Sequence, residues 1–228
     1  MLTEASSSVV RASNGEGRYP VARRLVLMVP IMFMCVAMPA QSARLGLGDP
    51  AVQTPSITIA MAHNSERERK TKETLEQLLA TYDLRKYTFT RRVVIEEGAI
   101  NHAMPVLTLN ARFALSPDQL LSSYIHEQLH WHTQGGQSPQ QQAAVAELRQ
   151  LYPRAPVGLP EGAESAFSTY GHLVVCYLEI IADRELLGRE RAAAVIAQKD
   201  HYTWIYATVL RDEKRIAAVV DRHLLRVR

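Results

Sequence analysis

The sequence predicts an α+β protein: a strand-rich stretch at about residues 56–115, then a helical part at 116–228. Two observations carry this. Before residue 115 the apolar residues fall in short β-branched and aromatic runs bounded by Gly and Pro, the pattern of strands. After residue 115 they recur at helical spacing behind Ser-Pro starts. The chain has 228 residues, of which 47% are hydrophobic and 21% charged. That suits one sizeable core. The net charge is +3, with no basic stripe carrying interleaved aromatics, so nucleic acid is not an expected partner.

The first 42 residues read as a signal or targeting segment. Arg23 and Arg24 precede an apolar run at 25–40, interrupted by Pro30 and Pro39. The run is short for a membrane span of about twenty residues but long enough for a signal-peptide core. Ala40, Gln41 and Ser42 then supply small residues for a cut near Ser42 or Ala43. The expected location is therefore exported, periplasmic or extracellular. If the segment is not cut, it becomes a membrane anchor and the protein's only membrane contact. Removing 1–42 leaves a nearly neutral chain with Cys176 as its only cysteine. An internal disulfide is then impossible, and stability must come from the core or a metal. Cys176 lies in an apolar run and reads as packed rather than reactive.

Residues 43–228 are expected to form a single domain. A Gly- and Pro-containing linker at 45–55 leads to a short strand at 56–62. Residues 66–82 place Leu75, Leu78, Leu79 and Tyr82 on one side of a helix. Strands are expected at 87–96 and 106–114, with a turn at Glu97-Gly98. Ser116-Pro117-Asp118-Gln119 has the form of a capping box opening a helix that Gly135-Gly136 ends. Ser138-Pro139 opens a second, running to about Leu151. A proline-rich loop occupies 152–162. A third helix is predicted at 169–187, from Ser168 to Gly188, and a fourth at 189–198. Residues 202–224 read as one long amphipathic helix.

The first of these helices contains His126-Glu127-Gln128-Leu129-His130. Residues four apart lie on one helix face, so His126 and His130 can hold one zinc ion between them. Glu127 stands where its carboxylate can take a proton from water activated by that ion. Leu120, Leu121, Tyr124, Ile125 and Leu129 make the helix mostly buried, and buried polar groups need partners. His132 would face away, at the surface, and His102 is near only in sequence. The later helix carries His172, Glu179 and Asp183 as a polar stripe on an apolar background. A catalytic zinc usually has three protein ligands and one open position. Glu179 is the best third ligand, with Asp183 as hydrogen-bond acceptor for a ligating histidine. Two alternatives stay open: His172 as the third ligand, or Glu179 paired with an arginine across the core. Glu161 and Glu164 are weaker candidates because they flank a loop.

The pairing of H-E-x-x-H at His126, Glu127 and His130 with E-x-x-x-D at Glu179 and Asp183 resembles the zincin metallopeptidases of the gluzincin type. As architecture the resemblance covers roughly 87–188, and as motif only these few residues. It departs from compact members in having 48 residues between His130 and Glu179. It implies a small mixed β-sheet packed on the H-E-x-x-H helix, with a mostly helical C-terminal part. It also implies one Zn2+ per chain and a substrate-binding edge strand, for which residues 106–110 are placed to add a peptide as an extra strand. The oxyanion formed at a carbonyl would be stabilised by a Tyr or His, with His201, Tyr202 and His172 as candidates. The expected function is an exported zinc metallopeptidase acting on a peptide or protein substrate, with Glu127 as its catalytic base. The alternatives are a catalytically inactive zinc-binding module and an exported helical interaction domain.

Overall fold

The structure is a computed structural model that describes residues 56–228 apart from Leu115. The expected signal segment 1–42 and the linker 45–55 lie outside the described residues. No helix among the described residues is long and apolar enough to cross a membrane.

Three strands form one sheet in the order β1 (Thr58–Met61), β2 (Arg92–Glu96), β3 (Leu107–Asn110). Both pairings are parallel, which corrects the expected mixed sheet. Helix α1 (Glu66–Thr81) supplies the first crossover, as parallel neighbours require. Its start is fixed by a full capping box: the Ser65 side chain accepts from the Glu68 N–H, and Glu68 reaches back to the Ser65 N–H. The return to β3 is the loop 97–106. The one antiparallel pairing is a bridge in which His102, from that loop, exchanges backbone bonds of 3.1 and 2.8 Å with Thr108.

That bridge changes the reading of β3. The strand does stand at the sheet edge, but its outward edge is already occupied. Thr108 is bonded to His102, and the Asn110 N–H donates to Asn101 Oδ1 at 2.6 Å. A peptide adding there would have to displace the protein's own loop. The strands are also shorter than the runs that announced them. Tyr87 belongs to a 3-10 turn, Arg85–Tyr87, and a second such turn, Ala111–Phe113, follows β3.

The helical part contains α2 (Pro117–His132), α3 (Pro139–Leu151), α4 (Ala166–Leu187), α5 (Arg189–Ala197), α6 (Thr203–Arg211) and α7 (Glu213–Arg222). Ser138 caps α3 through the Gln141 N–H as expected. Ser116 precedes α2 but makes no side-chain cap bond, so the predicted capping box there is not formed. Helix α4 starts three residues early, from Ser165, and ends at Gly188 with φ +82°. The long C-terminal helix is two, interrupted at Asp212.

Helix α4 is the axis of this half. It packs against α2, α3, α5, α6 and α7. Leu173, Val174 and Ile180 from α4 and Tyr124, Ile125 and Leu129 from α2 are fully buried. Each such side chain contributes about 1.5–3 kcal/mol through removal from water. Gln128 bolts α2 to the segment before β2. Its Oε1 accepts from the N–H groups of Phe89 and Thr90, and its Nε2 donates to the Thr90 carbonyl and the Tyr124 hydroxyl. This fixes the rotation of α2 and hence the direction of the histidines beside it.

Candidate metal centre

Three histidines meet where α2 crosses α4. His126 and His172 are buried and His130 is half-buried. One ligand nitrogen from each lies within 4.8 Å of the other two. The ring centroids of His130 and His172 are 4.9 Å apart, and those of His126 and His172 are 5.6 Å apart.

The ring nitrogens are not equivalent. His126 Nδ1 is 2.8 Å from Glu179 Oε2, and His172 Nδ1 is 2.7 Å from the Ser168 carbonyl. Both acceptors hold a proton on Nδ1 and leave Nε2 as the open nitrogen. His126 Nε2 in turn faces His130 Nε2 at 3.2 Å. Two nitrogens bound at about 2.05 Å to a tetrahedral ion stand about 3.3 Å apart. The observed spacing fits that geometry, and the donor set can hold a metal ion.

Glu179 is not the third member of this group. The two nitrogens of an imidazole point in opposite directions, and Glu179 sits on the Nδ1 side of His126. Its carboxylate also accepts from Ser122 Oγ at 2.7 Å, Lys199 Nζ at 2.8 Å and the Tyr206 hydroxyl at 2.7 Å. Burial opposes its charge, but Lys199 and His126 overcome this and hold its pKa well below the usual carboxylate value. The three ring nitrogens that converge are thus those of His126, His130 and His172 rather than the expected set with Glu179, whose carboxylate is bonded to His126 Nδ1. A second group, His126, Cys176 and Glu179, is also close enough to share an ion. The Lys199 ammonium on the same carboxylate makes that side unfavourable for another cation. Cys176 is fully buried, and burial raises its thiol pKa, in keeping with a packed residue.

Glu127 is buried, and among the described residues its carboxylate makes no hydrogen bond. Burial is the main reason its pKa rises to about 7, against an opposing pull from His126. A carboxyl group at that value can both accept and deliver a proton near neutrality. His102 acts on it electrostatically, so His102 is near the site in space and not only along the chain.

Asp183 was expected to accept from a ligating histidine. It lies one turn beyond Glu179, fully buried, with neither oxygen in a hydrogen bond of good geometry. Burial, then the negative charge of Glu179, raises its pKa to about 7. The acceptor role belongs to Glu179 instead.

The Tyr202 ring lies 4.3 Å from that of His172 and 6.3 Å from that of His126. Its backbone is left-handed, φ +55°, which is uncommon for a bulky residue and is found where the surroundings hold it. The start of α6 is held by the proline loop: the N–H groups of Thr203 and Trp204 donate to the carbonyls of Pro160 and Glu161. Burial and nearby carboxylates raise the phenol pKa, so the hydroxyl keeps its proton. His201 pairs with Asp200 at 2.9 Å, and its ring meets that of Tyr202 rather than the histidines. Of the three oxyanion candidates, His172 belongs to the histidine cluster itself, and Tyr202 lies nearer to that cluster than His201 does. His132, expected at the surface, is half-buried against Phe89 and bonded to the Leu225 carbonyl at 2.8 Å.

Lys199, Tyr206 and Ser122 were not foreseen. Lys199 stands in a short connection with no periodicity to betray it. Ser122 was readable, since 122, 126 and 130 form one i, i+4, i+8 stripe on a mostly apolar helix. In comparison with known proteins, no family model, no curated protein and no solved structure matches the chain.

Proposed function

We propose that the protein is a zinc-dependent peptide-bond hydrolase, with His126, His130 and His172 as metal ligands and Glu127 as general base and acid. The observation that carries this is the convergence of three imidazoles beside a buried carboxyl group that makes no hydrogen bond. Three imidazoles, which would bind an ion in their neutral form with a fourth position left open, are a donor set suited to catalytic zinc. A zinc ion there supplies Lewis acidity, polarising a carbonyl and making water easier to deprotonate.

The chain's own residues do the rest. Glu179 and the Ser168 carbonyl hold the two histidine rings in the required tautomers. Glu127 takes the proton from the attacking water and delivers it to the departing amide nitrogen, which returns the carboxylate to its starting state. The Tyr202 hydroxyl donates to the oxygen on which negative charge develops. The occupied edge of β3 disfavours a substrate added as a fourth strand.

The test is metal analysis of the purified protein, then incubation with a peptide library with and without chelator. About one zinc per chain and chelator-sensitive cleavage are expected. Absence of bound metal overturns the reading, as does cleavage that survives chelation. Zinc without cleavage would leave a metal-binding module.

A further inference from the structure

A second site lies on the other side of Glu179. Helices α5 and α6, with the end of α4 and the start of α7, line an open surface pocket of about 620 Å³. That is within the usual range for small-molecule pockets, about 300–1,000 Å³. Both helices turn alanine and larger aliphatic side chains toward it. Ala193 and Ile196 of α5 face Ala207 and Leu210 of α6, each pair spaced to share a helix face. Leu210, 46% exposed, leaves the wall open to an apolar guest.

The polar lining has one sign to spare. Arg184, Arg189 and Lys199 line the cavity, and its one acidic lining residue is Glu213. Glu213 is already matched by Arg184 at 2.7 Å. Arg189 makes no ion pair among the described residues. Lys199 is half-buried, its side chain 12% exposed, and its ammonium has three N–H donors. Glu179 Oε1 takes one at 2.8 Å and Ser122 Oγ another at 3.2 Å. The ammonium also lies 5.6 Å from the centroid of the Tyr206 ring, and among the described residues no third hydrogen-bond acceptor stands against it. Arg189, without an ion pair among the described residues, and the half-buried Lys199 ammonium line the same pocket and suit an anionic head; the apolar walls suit a hydrocarbon tail.

We propose that this cavity binds an apolar monocarboxylate, its carboxylate between Arg189 and Lys199 and its tail along Ile196 and Leu210. The site is separate from the histidine cluster, so the proposal stands whether or not the chain is a peptidase. Lys199 serves both sites, so an occupant would touch the same ammonium that holds Glu179 charged.

The test is calorimetric titration of the full chain with octanoate and, as a neutral control, octan-1-ol. EDTA in the buffer removes any binding of carboxylate to metal. Octanoate is expected to bind one per chain, at least about tenfold more tightly than the alcohol, a difference of about 1.4 kcal/mol. Arg189→Gln should weaken it about tenfold, and Ala207→Trp should abolish it by filling the cavity. Ala207 and Arg189 are exposed, and far-UV circular dichroism verifies that both variants fold. The proposal is overturned if octanoate fails to saturate by about 5 mM, if octan-1-ol binds equally well, or if Arg189→Gln and Ala207→Trp bind like the parent.

Discussion

At the scale of single residues, the neighbourhood of Glu179 contains two carboxyl groups with opposite fates. Glu179 has four donors and stays charged. Asp183, one turn on, has none of good geometry and rises to about 7 because of burial and the charge on Glu179. A folded-state pKa above the unfolded value of 3.8 stabilises fully below 3.8, and that stabilisation is lost as pH rises through about 7. Asp183→Asn, which keeps the shape of the neutral acid, should therefore match the parent at pH 4 and exceed it at pH 8. The gap is expected to be on the order of a few kcal/mol, read from urea unfolding at the two pH values. A parent as stable as the variant at pH 8 would show that Asp183 is ionised at no cost. Glu127 has a different purpose for its raised pKa, since it moves a proton during the proposed reaction. Glu127→Gln should keep the metal and lose at least about a hundredfold in cleavage rate. Retained activity with retained metal would remove Glu127 from the mechanism.

At the scale of elements, the site is a crossing of two helices, each with a polar stripe. Helix α2 offers Ser122, His126 and His130, and helix α4 offers His172, Cys176, Glu179 and Asp183. Helical spacing made both stripes legible in the sequence, as it did the boundaries of α1 and α3. Spacing cannot say which member of a stripe meets which. His172 lies seven residues before Glu179, about two turns or 10 Å along α4, so the crossing point of α2 decides which of the two is the ligand. Only tertiary packing sets that point, through Gln128 and the Tyr124–Leu129 face of α2. The parallel order of the strands was hidden for a similar reason: the loop 97–106 carries no helix to announce a crossover. The stripes make a sharp division of roles. His172→Ala should lose zinc, because it removes a ligand. Glu179→Gln should keep zinc with affinity lowered about 10–100-fold, because it only loosens the orientation of His126. Competition with a chromogenic chelator measures both. The reverse ranking would restore Glu179 as the ligand and His172 as its support.

At the scale of the whole molecule, the proposed ion would join the two helices on which the rest of the core is built. Helix α4 packs on five other helices, and α2 connects that assembly to the sheet through Gln128 and through Trp131, which donates to the Ala103 carbonyl at 2.8 Å. No disulfide does this work among the described residues, where Cys176 is buried and free. A metal held by His126 and His130 on one helix and His172 on the other would therefore be a cross-link between α2, which is tied to the segments flanking the sheet, and α4, the axis of the helical part. A ligand that binds the folded state alone stabilises it by RT ln(1 + [L]/Kd), about 2.7 kcal/mol when free zinc is a hundredfold above Kd. For a domain of this size, each kcal/mol moves the melting temperature by about 2–4 °C. Loading with zinc should then raise the melting temperature by roughly 5–11 °C, and chelation should return it. The same titration on His172→Ala should show almost none of that rise, because two histidines on a single helix fasten nothing to α4. A parent protein whose melting temperature ignores both zinc and chelator would mean that the three imidazoles do not clamp the helices, whatever else they bind.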